Sequence, residues 1–461
     1  MDVVPDVDEW AERTFGTAEL GDRRRTRRLV KAASQIACHP SQTFPQTFDW
    51  NGLRGFYRLC DCEEASLEAI QSPHWEQTRA AMRAQPLVLI IHDTTELDFT
   101  EHTALEGAGP IGDGKGRGFL QHNSLAFLPE SNEVLGLAFQ QWRVREPAPE
   151  GERTAHRKKR ERESTLWMNG ILATGRPPEG VCWVDVGDRG SDIYEAMVAC
   201  LEVGHAFVFR ATQNRIVFST PEHDRSVKLL DYARTAPSAG SETVQIRGRG
   251  KRPARTATIH FSGVPVWVPP PRETPNRSQK PIIPVFVVRI WEPNPPPDVE
   301  PLEWILLNAL PMISLEDFKK SRDWYAARWT VETFHDVEKN GCAEEARRFE
   351  TAARMEAAVA ILSLTAVRIL QLRHALEAQP EAPASQVATA EEIQMIRRSR
   401  GHKRGKFTVR DFVYGVARLG GFLGRKCDGK PGLRTLWRGY HRLQDMLLGS
   451  QLHASLREGG P

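Results

Sequence analysis

Two aspartates stand directly after short hydrophobic stretches of the sequence. Asp93 follows LVLIIH (87–92), and Asp188 follows VCWVDVG (181–187). Apolar runs of this length are typical of buried strands, and α/β sheets place ligand-binding side chains where such strands end. A single aspartate of this kind is more often a turn or helix-capping residue. Two of them, together with a third acid further along the chain, indicate a cluster of carboxylates.

The third acid, Glu332, lies in a segment with helical character that begins at a Ser314 cap. Because about 3.6 residues complete a helical turn, offsets of three, four and seven residues predict side chains on one face of a single helix. A salt-bridge ladder on a helix surface has a similar pattern. Apolar residues occupy the other sides of this helix, however, which argues against that interpretation. The residues of this stripe are Tyr325, Arg328, Glu332 and Lys339.

Three carboxylates brought together would bind hard divalent cations. Carboxylate oxygens suit Mg²⁺ or Mn²⁺, and two such ions can activate an attacking hydroxyl and neutralise the leaving oxygen of a phosphodiester. Asp93, Asp188 and Glu332 are therefore the candidate catalytic residues and metal ligands, for two ions per site, and they favour phosphoryl transfer on nucleic acid. Asp185 and Asp192 are rival candidates for the second ligand. Asp192 is expected instead to open the following helix, where its charge favours the dipole.

The whole chain has the composition of a folded protein with several domains. It contains 461 residues, 40% of them hydrophobic and 26% charged, with a formal net charge of +3. Seven scattered cysteines favour reduced thiols in the cytoplasm over a disulfide scaffold, and their spacing fits no zinc finger. Neither an export signal nor an apolar run long enough for a membrane span is visible, so we expect a cytoplasmic protein with no membrane partner.

Positive charge is concentrated in short segments although the total is nearly balanced. One such segment is usually a solvated helix face, whereas several of them favour a polyanion that is followed over a long path. The first segment, GDRRRTRRLVK, predicts a basic helix capped by Asp22. The basic segments are 21–31, 153–162, 247–255 and 397–410.

Strands and helices alternate in the middle of the chain, which predicts an α/β core. Pro265–Pro301 is rich in proline and includes β-rich stretches, which indicates an inserted β domain. The sequence returns to a strand at Trp304–Asn308 and continues into a strongly apolar helix at Met355–Leu372. Residues 376–392 have the composition of a linker, and a helical tail follows them.

The candidate residues and several longer motifs resemble a known family. The chain has Asp, Asp and Glu in this order, and the Glu belongs to the spaced pattern Tyr-x2-Arg-x3-Glu-x6-Lys, where x is any residue. This arrangement resembles the signature of the DDE transposases of the bacterial insertion-sequence-four (IS-four) family. Further segments, spread in the same order over essentially the whole chain, are similar to sequences of that family. They are AERTFGTAELGDRRRTRRLVKAASQIA (11–37), HDTTELDF (92–99), GDRGSDIY (187–194), PLEWILL (301–307), RWTVETFH (328–335) and VARLGGF (416–422).

The resemblance implies an α/β fold with a ribonuclease-H-like catalytic core, an inserted β domain, and flanking helical N- and C-terminal domains. Residues 1–73 would form a helical DNA-binding domain. The core would comprise 74–212 and 304–375, interrupted by a β-rich insertion at 213–303. Residues 376–461 would form a linker and a helical dimerisation domain.

The resemblance also implies roles for individual residues, with Asp93, Asp188 and Glu332 as the metal ligands. Trp304 and Trp329 match positions that hold a flipped base, where stacking contributes roughly 1–3 kcal/mol per base. For Trp304, a plain role in the core is equally open. Phosphates near the transposon end would be held by Tyr325, Arg328, Lys339 and Arg210, and end recognition would involve Arg23, Arg24, Arg25, Arg27 and Arg28.

The function implied in this way is cut-and-paste DNA transposition. A homodimer would pair two transposon ends in a synaptic complex, cleave them through a hairpin intermediate and transfer the 3′ ends to target DNA. Two alternatives remain open: a catalytically inactive DNA-binding repressor derived from a transposase, and a structure-selective nuclease with the same core. The first would bind ends without cutting them, and the second would cut without joining.

Overall fold

The protein is mixed α/β, as the alternating pattern predicts, and the described part of the chain is built around a twelve-stranded sheet. The computed structural model describes residues 4–147, 163–246, 248, 254–297, 299–399, 405–425 and 428–458. The basic segment 153–162 lies outside the described residues, as do most of 247–255 and the middle of 397–410.

Five helices lie in the described N-terminal part of the chain, between residues 4 and 83. Their cores are apolar, with Phe15, Leu29 and Phe56 fully buried. The helix cap expected at Asp22 is confirmed: Asp22 Oδ1 accepts a hydrogen bond of 2.8 Å from the Arg24 backbone N–H, which satisfies one donor of the first turn. The helices are α1 (Val7–Phe15), α2 (Arg23–Cys38), α3 (Phe44–Thr47), α4 (Trp50–Cys60) and α5 (Leu67–Arg83).

The first half of the sheet combines antiparallel and parallel pairing. β3 pairs antiparallel with both β1 and β4, whereas β1, β5 and β6 pair parallel, so the spatial order is β4-β3-β1-β5-β6. The elements are β1 (Leu87–Asp98), β2 (Gly109–Ile111), β3 (Gly116–Leu128), β4 (Glu133–Arg143), α6 (Thr165–Thr174), β5 (Cys182–Gly187), α7 (Tyr194–Val203) and β6 (Ala206–Arg210).

The strands between residues 213 and 303 extend this same sheet instead of building a second one. β12 connects the two halves, because it pairs antiparallel with β6 on one side and with β11 on the other. The elements are β7 (Ile216–Phe218), β8 (Ser226–Lys228), α8 (Leu229–Thr235), β9 (Gly240–Ile246), β10 (Arg255–Val268), β11 (Ile283–Trp291) and β12 (Glu303–Asn308).

The C-terminal third of the chain is helical. The longest apolar helix, α11, meets the length and composition of a membrane span, but 89% of its most apolar window is buried inside the protein, so it serves as a core helix. The helices are α9 (Leu315–Ala326), α10 (Trp329–Asp336), α11 (Ala352–Ala378), α12 (Ala390–Ser399), α13 (Val409–Leu419) and α14 (Leu433–Glu458).

The prediction of one continuous helix from Ser314 to Lys339 is wrong. The Ser314 cap is confirmed, but α9 ends at Ala326 and a tight turn at Ala327–Arg328 separates it from α10. In this turn the Arg328 backbone N–H bonds to the carbonyl of Tyr325, three residues back. A π-helical turn, Val337–Gly341, then continues α10. Both departures from 3.6 residues per turn lie within the predicted stripe, one at Arg328 and the other around Lys339.

Candidate metal-binding active site

Asp93 lies where the parallel part of the sheet ends. β1 and β5 pair in parallel register up to His92 and Gly187, so Asp93 and Asp188 are the next residues on adjacent strands. The expectation that Asp93 ends its strand is wrong, because β1 continues to Asp98 through pairing with β3 alone. The Asp93 backbone therefore pairs with β3 on one side, whereas on the other side the pairing with β5 has ended next to Asp188.

Arg210 belongs to the same row of residues. Gly187 pairs with Phe209 of β6, so Arg210 is the next residue after this pair, as Asp188 is on β5. The Arg210 guanidinium donates to the Glu303 carbonyl at 3.4 Å, which ties it to the start of β12. The register thus places Arg210 beside Asp188, one strand further from Asp93.

The two rival aspartates are engaged elsewhere. Asp185 is fully buried and accepts hydrogen bonds of 2.8 Å from both His92 Nε2 and His205 Nδ1. Although burial acts to raise it, the pKa of Asp185 is lowered, because both histidines stabilise the carboxylate. Asp192 does not cap α7 as expected: its carboxylate accepts from the backbone N–H of Thr212 and pairs with Arg215. Of the three neighbouring acids, Asp188 alone keeps a partly exposed carboxylate, with Oδ1 2.7 Å from the Gly190 N–H.

The Arg328 side chain bridges the carboxylates of Glu332 and Asp93. Arg328 Nη1 donates to Asp93 Oδ2 at 3.0 Å and to Glu332 Oε1 at 3.1 Å. The Asp93 side chain is 14% exposed and that of Glu332 is 44% exposed, so the pair is open to solvent on the Glu332 side. Two acids far apart in the sequence therefore converge, as the sequence predicts.

A histidine that the sequence analysis missed completes this cluster. Ligand atoms of Asp93, Glu332 and His335 all lie within 4.8 Å of one another; Asp188 is not part of this group. His335 is buried, and burial lowers its pKa to about 3. The signal was available, because Glu332 and His335 are three residues apart and so share a helix face.

Arg328 neutralises only part of the negative charge of Asp93, Asp188 and Glu332. Burial, with the nearby charges of Asp188 and Glu332, raises the pKa of Asp93 to about 7 despite its contact with Arg328. The effect of Asp188 shows that its carboxylate lies within electrostatic reach of Asp93. Accessible carboxylate oxygens that repel one another fit a hard divalent cation such as Mg²⁺ or Mn²⁺.

The remaining members of the predicted stripe, Tyr325 and Lys339, contact different strands of the sheet. Tyr325 is only 4% exposed, and its ring packs edge-on against Trp304 with centroids 4.8 Å apart. Lys339 donates to the Glu96 carbonyl and forms an ion pair of 3.3 Å with Glu345. Lys339 thus contacts β1, the strand that Arg328 contacts through Asp93, whereas Tyr325 packs against β12.

The two tryptophans differ in their environments. Trp304 is half-buried beside Tyr325 at the start of β12. Trp329 is 53% exposed, and the Arg328 guanidinium lies 5.3 Å from the centroid of its ring. Trp329 also lines a groove of about 590 Å³. Trp329 thus presents an open aromatic face next to the carboxylate cluster.

The arginines at the start of α2 are divided between local contacts and solvent. Arg25 donates to the Leu20 carbonyl and pairs with Glu64 at 2.9 Å, and Arg24 pairs with Asp22 at 2.8 Å. The others are the exposed Arg23 and Arg27 and the half-buried Arg28.

The described fold combines an α/β sheet that gathers carboxylates and arginines with a preceding basic helical region, and the carboxylate cluster fits the class of metal-binding enzymes. Comparison with known families narrows this class. Residues 7–65 match the family model "Transposase DNA-binding", and residues 365–460 match "Transposase Tn5 dimerisation domain". These matches indicate a transposase similar to that of Tn5, with DNA as a partner and a homodimer as its assembly.

Proposed function

We propose that the protein is a cut-and-paste DNA transposase of the IS-four family, with Asp93, Asp188 and Glu332 as its catalytic residues. The observation that carries this proposal is the convergence of Asp93 and Glu332 on Arg328, beside the row that contains Asp188. A purely structural ion pair would not require a third carboxylate close enough to raise the pKa of Asp93. Charges that repel in the free protein favour a site built for cations.

The topology supports a ribonuclease-H-like core. Three antiparallel strands, β4, β3 and β1, are followed in space by the parallel β5 and β6. The chain then leaves for the strands of 213–303 and returns with β12 and α10, which carries Glu332. The proposed division is an N-terminal domain at 1–73, a core at 74–212 and 304–375, the insertion at 213–303, and a dimerisation domain at 376–461.

The three acids would hold two Mg²⁺ or Mn²⁺ ions. When bound, such ions activate an attacking hydroxyl and neutralise charge on the leaving oxygen. In the free protein Arg328 bridges Asp93 and Glu332 and keeps them close to each other. Arg328, released from one of these carboxylates, would be available for a DNA phosphate, which its planar fork of donors suits.

The surrounding side chains would position DNA. Arg210 would hold a phosphate next to Asp188, while Lys339 and Tyr325 would act on either side of the turn at Arg328. The exposed face of Trp329 is suited to stack on an extruded base, with Trp304 as the second aromatic residue. In the N-terminal domain, the exposed Arg23 and Arg27 are the best placed for DNA, with Arg24, Arg25 and Arg28 beside them.

The proposed reaction has four phosphoryl transfers at one site. Water cuts one strand at the transposon end, and the freed 3′ hydroxyl attacks the opposite strand to form a hairpin. A second water opens the hairpin, and the 3′ hydroxyl then attacks target DNA. Two ends would be paired in a synaptic complex of two subunits, in the bacterial cytoplasm.

Cleavage of end DNA tests this function. Asp93→Asn, Asp188→Asn and Glu332→Gln should each lower the rate of Mg²⁺-dependent nicking of a terminal-repeat duplex at least about 100-fold, with end binding retained. Glu316→Gln is the matched control, because Glu316 is an exposed acid on α9. Nicking at the normal rate by the three variants would refute the assignment.

The two alternatives give different results in the same assay. An inactive repressor would shift the duplex without cutting it in any metal. A structure-selective nuclease would cut it but leave no products joined to a target plasmid.

A further inference from the structure

A chain of buried side chains connects helix α5 with the candidate active site. Each member hydrogen-bonds to the next, over distances of 3.1, 2.7, 2.7 and 2.9 Å. The chain begins in the helical N-terminal region, crosses β4 and β3, and ends on α10. Its members, here called the amide relay, are Trp75, Gln71, Gln140 and Asn123, and it ends at the ring of His335.

The first end of the relay can be oriented in only one way. Trp75 Nε1 is a donor only, so the atom of Gln71 that it contacts must be Oε1. Gln71 Nε2 faces the Ala360 carbonyl, an acceptor only, at 2.9 Å. The amide of Gln71 is therefore fixed at both of its atoms.

The orientation of the Gln71 amide determines which atoms donate and which accept in the next two members of the relay. Gln71 Nε2 donates to Gln140 Oε1, so Gln140 Nε2 must face Asn123, and it donates to Asn123 Oδ1. Gln121 Nε2 also donates to Asn123 Oδ1, at 3.3 Å. Asn123 Oδ1 is thus held as an acceptor, and Asn123 Nδ2 is left to donate to His335 Nε2.

Both ring nitrogens of His335 are assigned by this geometry. Nε2 accepts from Asn123, so its lone pair is engaged and it carries no proton. A neutral imidazole then carries its proton on Nδ1. Neither nitrogen has a free lone pair for a metal ion, although a ring nitrogen lies within 4.8 Å of the carboxylate oxygens of Asp93 and Glu332.

We propose that the amide relay excludes His335 from metal coordination and so gives the site an oxygen-only donor set that selects Mg²⁺ or Mn²⁺ over Zn²⁺. Imidazole nitrogen favours Zn²⁺, Ni²⁺ and Cu²⁺, whereas carboxylates alone suit harder ions. A freed His335 would turn the same cluster into a mixed nitrogen and oxygen site. The proposal rests on the metal-binding role of Asp93 and Glu332, and Asn123 and Gln71 are specificity-determining residues within it.

The protonation of the His335 ring tests the first half of the proposal. Long-range ¹H–¹⁵N spectra of metal-free, ¹⁵N-histidine-labelled protein separate protonated from unprotonated ring nitrogens, and loss of signals in His335→Gln assigns them. We expect a protonated Nδ1 and an unprotonated Nε2. A proton on Nε2, on both nitrogens, or shared between them would overturn the inference.

A titration with Zn²⁺ alone tests the second half. In the unaltered protein, Zn²⁺ should leave the ring nitrogen shifts of His335 unchanged. In Asn123→Leu, which frees the Nε2 lone pair, Zn²⁺ should shift that nitrogen and bind at least about tenfold more tightly by calorimetry. A Zn²⁺-induced shift in the unaltered protein, or none in Asn123→Leu, would contradict the proposal.

A double substitution provides a second variant with a matched control. Gln71→Met combined with Gln121→Met removes both residues that orient the relay, Gln71 three hydrogen bonds from His335 and Gln121 at Asn123, and should give a mixture of His335 protonation forms. Gln371→Met is the control, because Gln371 is also buried but donates to the backbone of β4 outside the relay. An unchanged His335 spectrum in the double variant Gln71→Met, Gln121→Met would refute the relay.

These measurements do not depend on DNA cleavage. If the chain fails to nick end DNA but His335 has the expected protonation and Zn²⁺ response, the proposed function fails and the relay stands. If nicking is normal and the ring is protonated on Nε2, the relay fails and the proposed function stands.

Discussion

Replacement of Asp93 by Asn should stabilise the metal-free protein at neutral and alkaline pH while it abolishes cleavage. Burial and the neighbouring carboxylates raise the pKa of Asp93 to about 7, from an ordinary value of 3.8. The folded protein therefore keeps a proton between pH 4 and 7 that the unfolded chain has lost. The free energy of unfolding must then fall as the pH rises through this window.

The size of the effect follows from the pKa difference. About three pH units at roughly 1.4 kcal/mol each correspond to about 4 kcal/mol of destabilisation above pH 7. Since the carboxylate retains some contact with water, this is an upper limit, and we expect Asp93→Asn to gain about 2–4 kcal/mol at pH 8. At pH 4, where the carboxyl is protonated in the folded state, the gain should vanish.

Urea unfolding of both proteins in EDTA, at pH 4, 6 and 8, measures this difference. Mg²⁺ should reverse the order at pH 8, because the unaltered site gains binding free energy that the variant lacks. Thr94→Ser, next to Asp93 in β1, is a control for substitution at this position in the strand. The electrostatic reasoning is refuted if Asp93→Asn is no more stable than the unaltered protein at pH 8 without metal.

Three further outcomes follow from the structure. Trp329→Ala should slow hairpin formation by a factor corresponding to roughly 1–3 kcal/mol of lost stacking and leave the rate of the first nick unchanged. Denaturing gels separate the products of the two steps, and equal slowing of both would contradict a base-stacking role. Asp185→Asn should lower the free energy of unfolding by about 3–5 kcal/mol at pH 7, because it breaks a buried network with two histidines. This loss should shrink as the pH falls below 4, since the pKa of Asp185 is lowered in the folded state. Urea unfolding at pH 7 and pH 3 measures both effects, and an equal loss at the two pH values would be inconsistent with an ionised Asp185. Leu448→Glu combined with Leu456→Glu, two exposed positions on α14, should weaken dimerisation on end DNA at least about tenfold by sedimentation, and an unchanged dimer would place the interface elsewhere.

The sequence predicts those parts of the molecule that are determined by short stretches of chain. The helix caps at Asp22 and Ser314 form as expected, because a capping side chain acts on a backbone group two or three residues away. The strands before Asp93 and Asp188 were also recognisable, because apolar residues buried on both faces leave a continuous hydrophobic run.

Features set by distant partners were not predictable in the same way. Nothing near Asp93 shows that β3 pairs with β1 from Leu89 to Asp98 and so extends it beyond the aspartate. Nor does the spacing of Tyr325 and Lys339 reveal the turn between α9 and α10, where hydrogen bonds to the third residue back replace regular helix. The role of His335 depends on amides from α5, β3 and β4, which are far apart in the sequence.

The antiparallel pairing of β1 with β3 has a consequence for how the chain can evolve. Successive residues of a strand point to opposite faces, so a slip of one position would turn Asp93 to the far side of the sheet and bring His92 or Thr94 in its place. The hydrogen bonds between the backbones of β1 and β3, more than the nearby side chains, therefore decide which residue of β1 faces Glu332 and Arg328. Insertions or deletions within β1 should be far more damaging than most substitutions there.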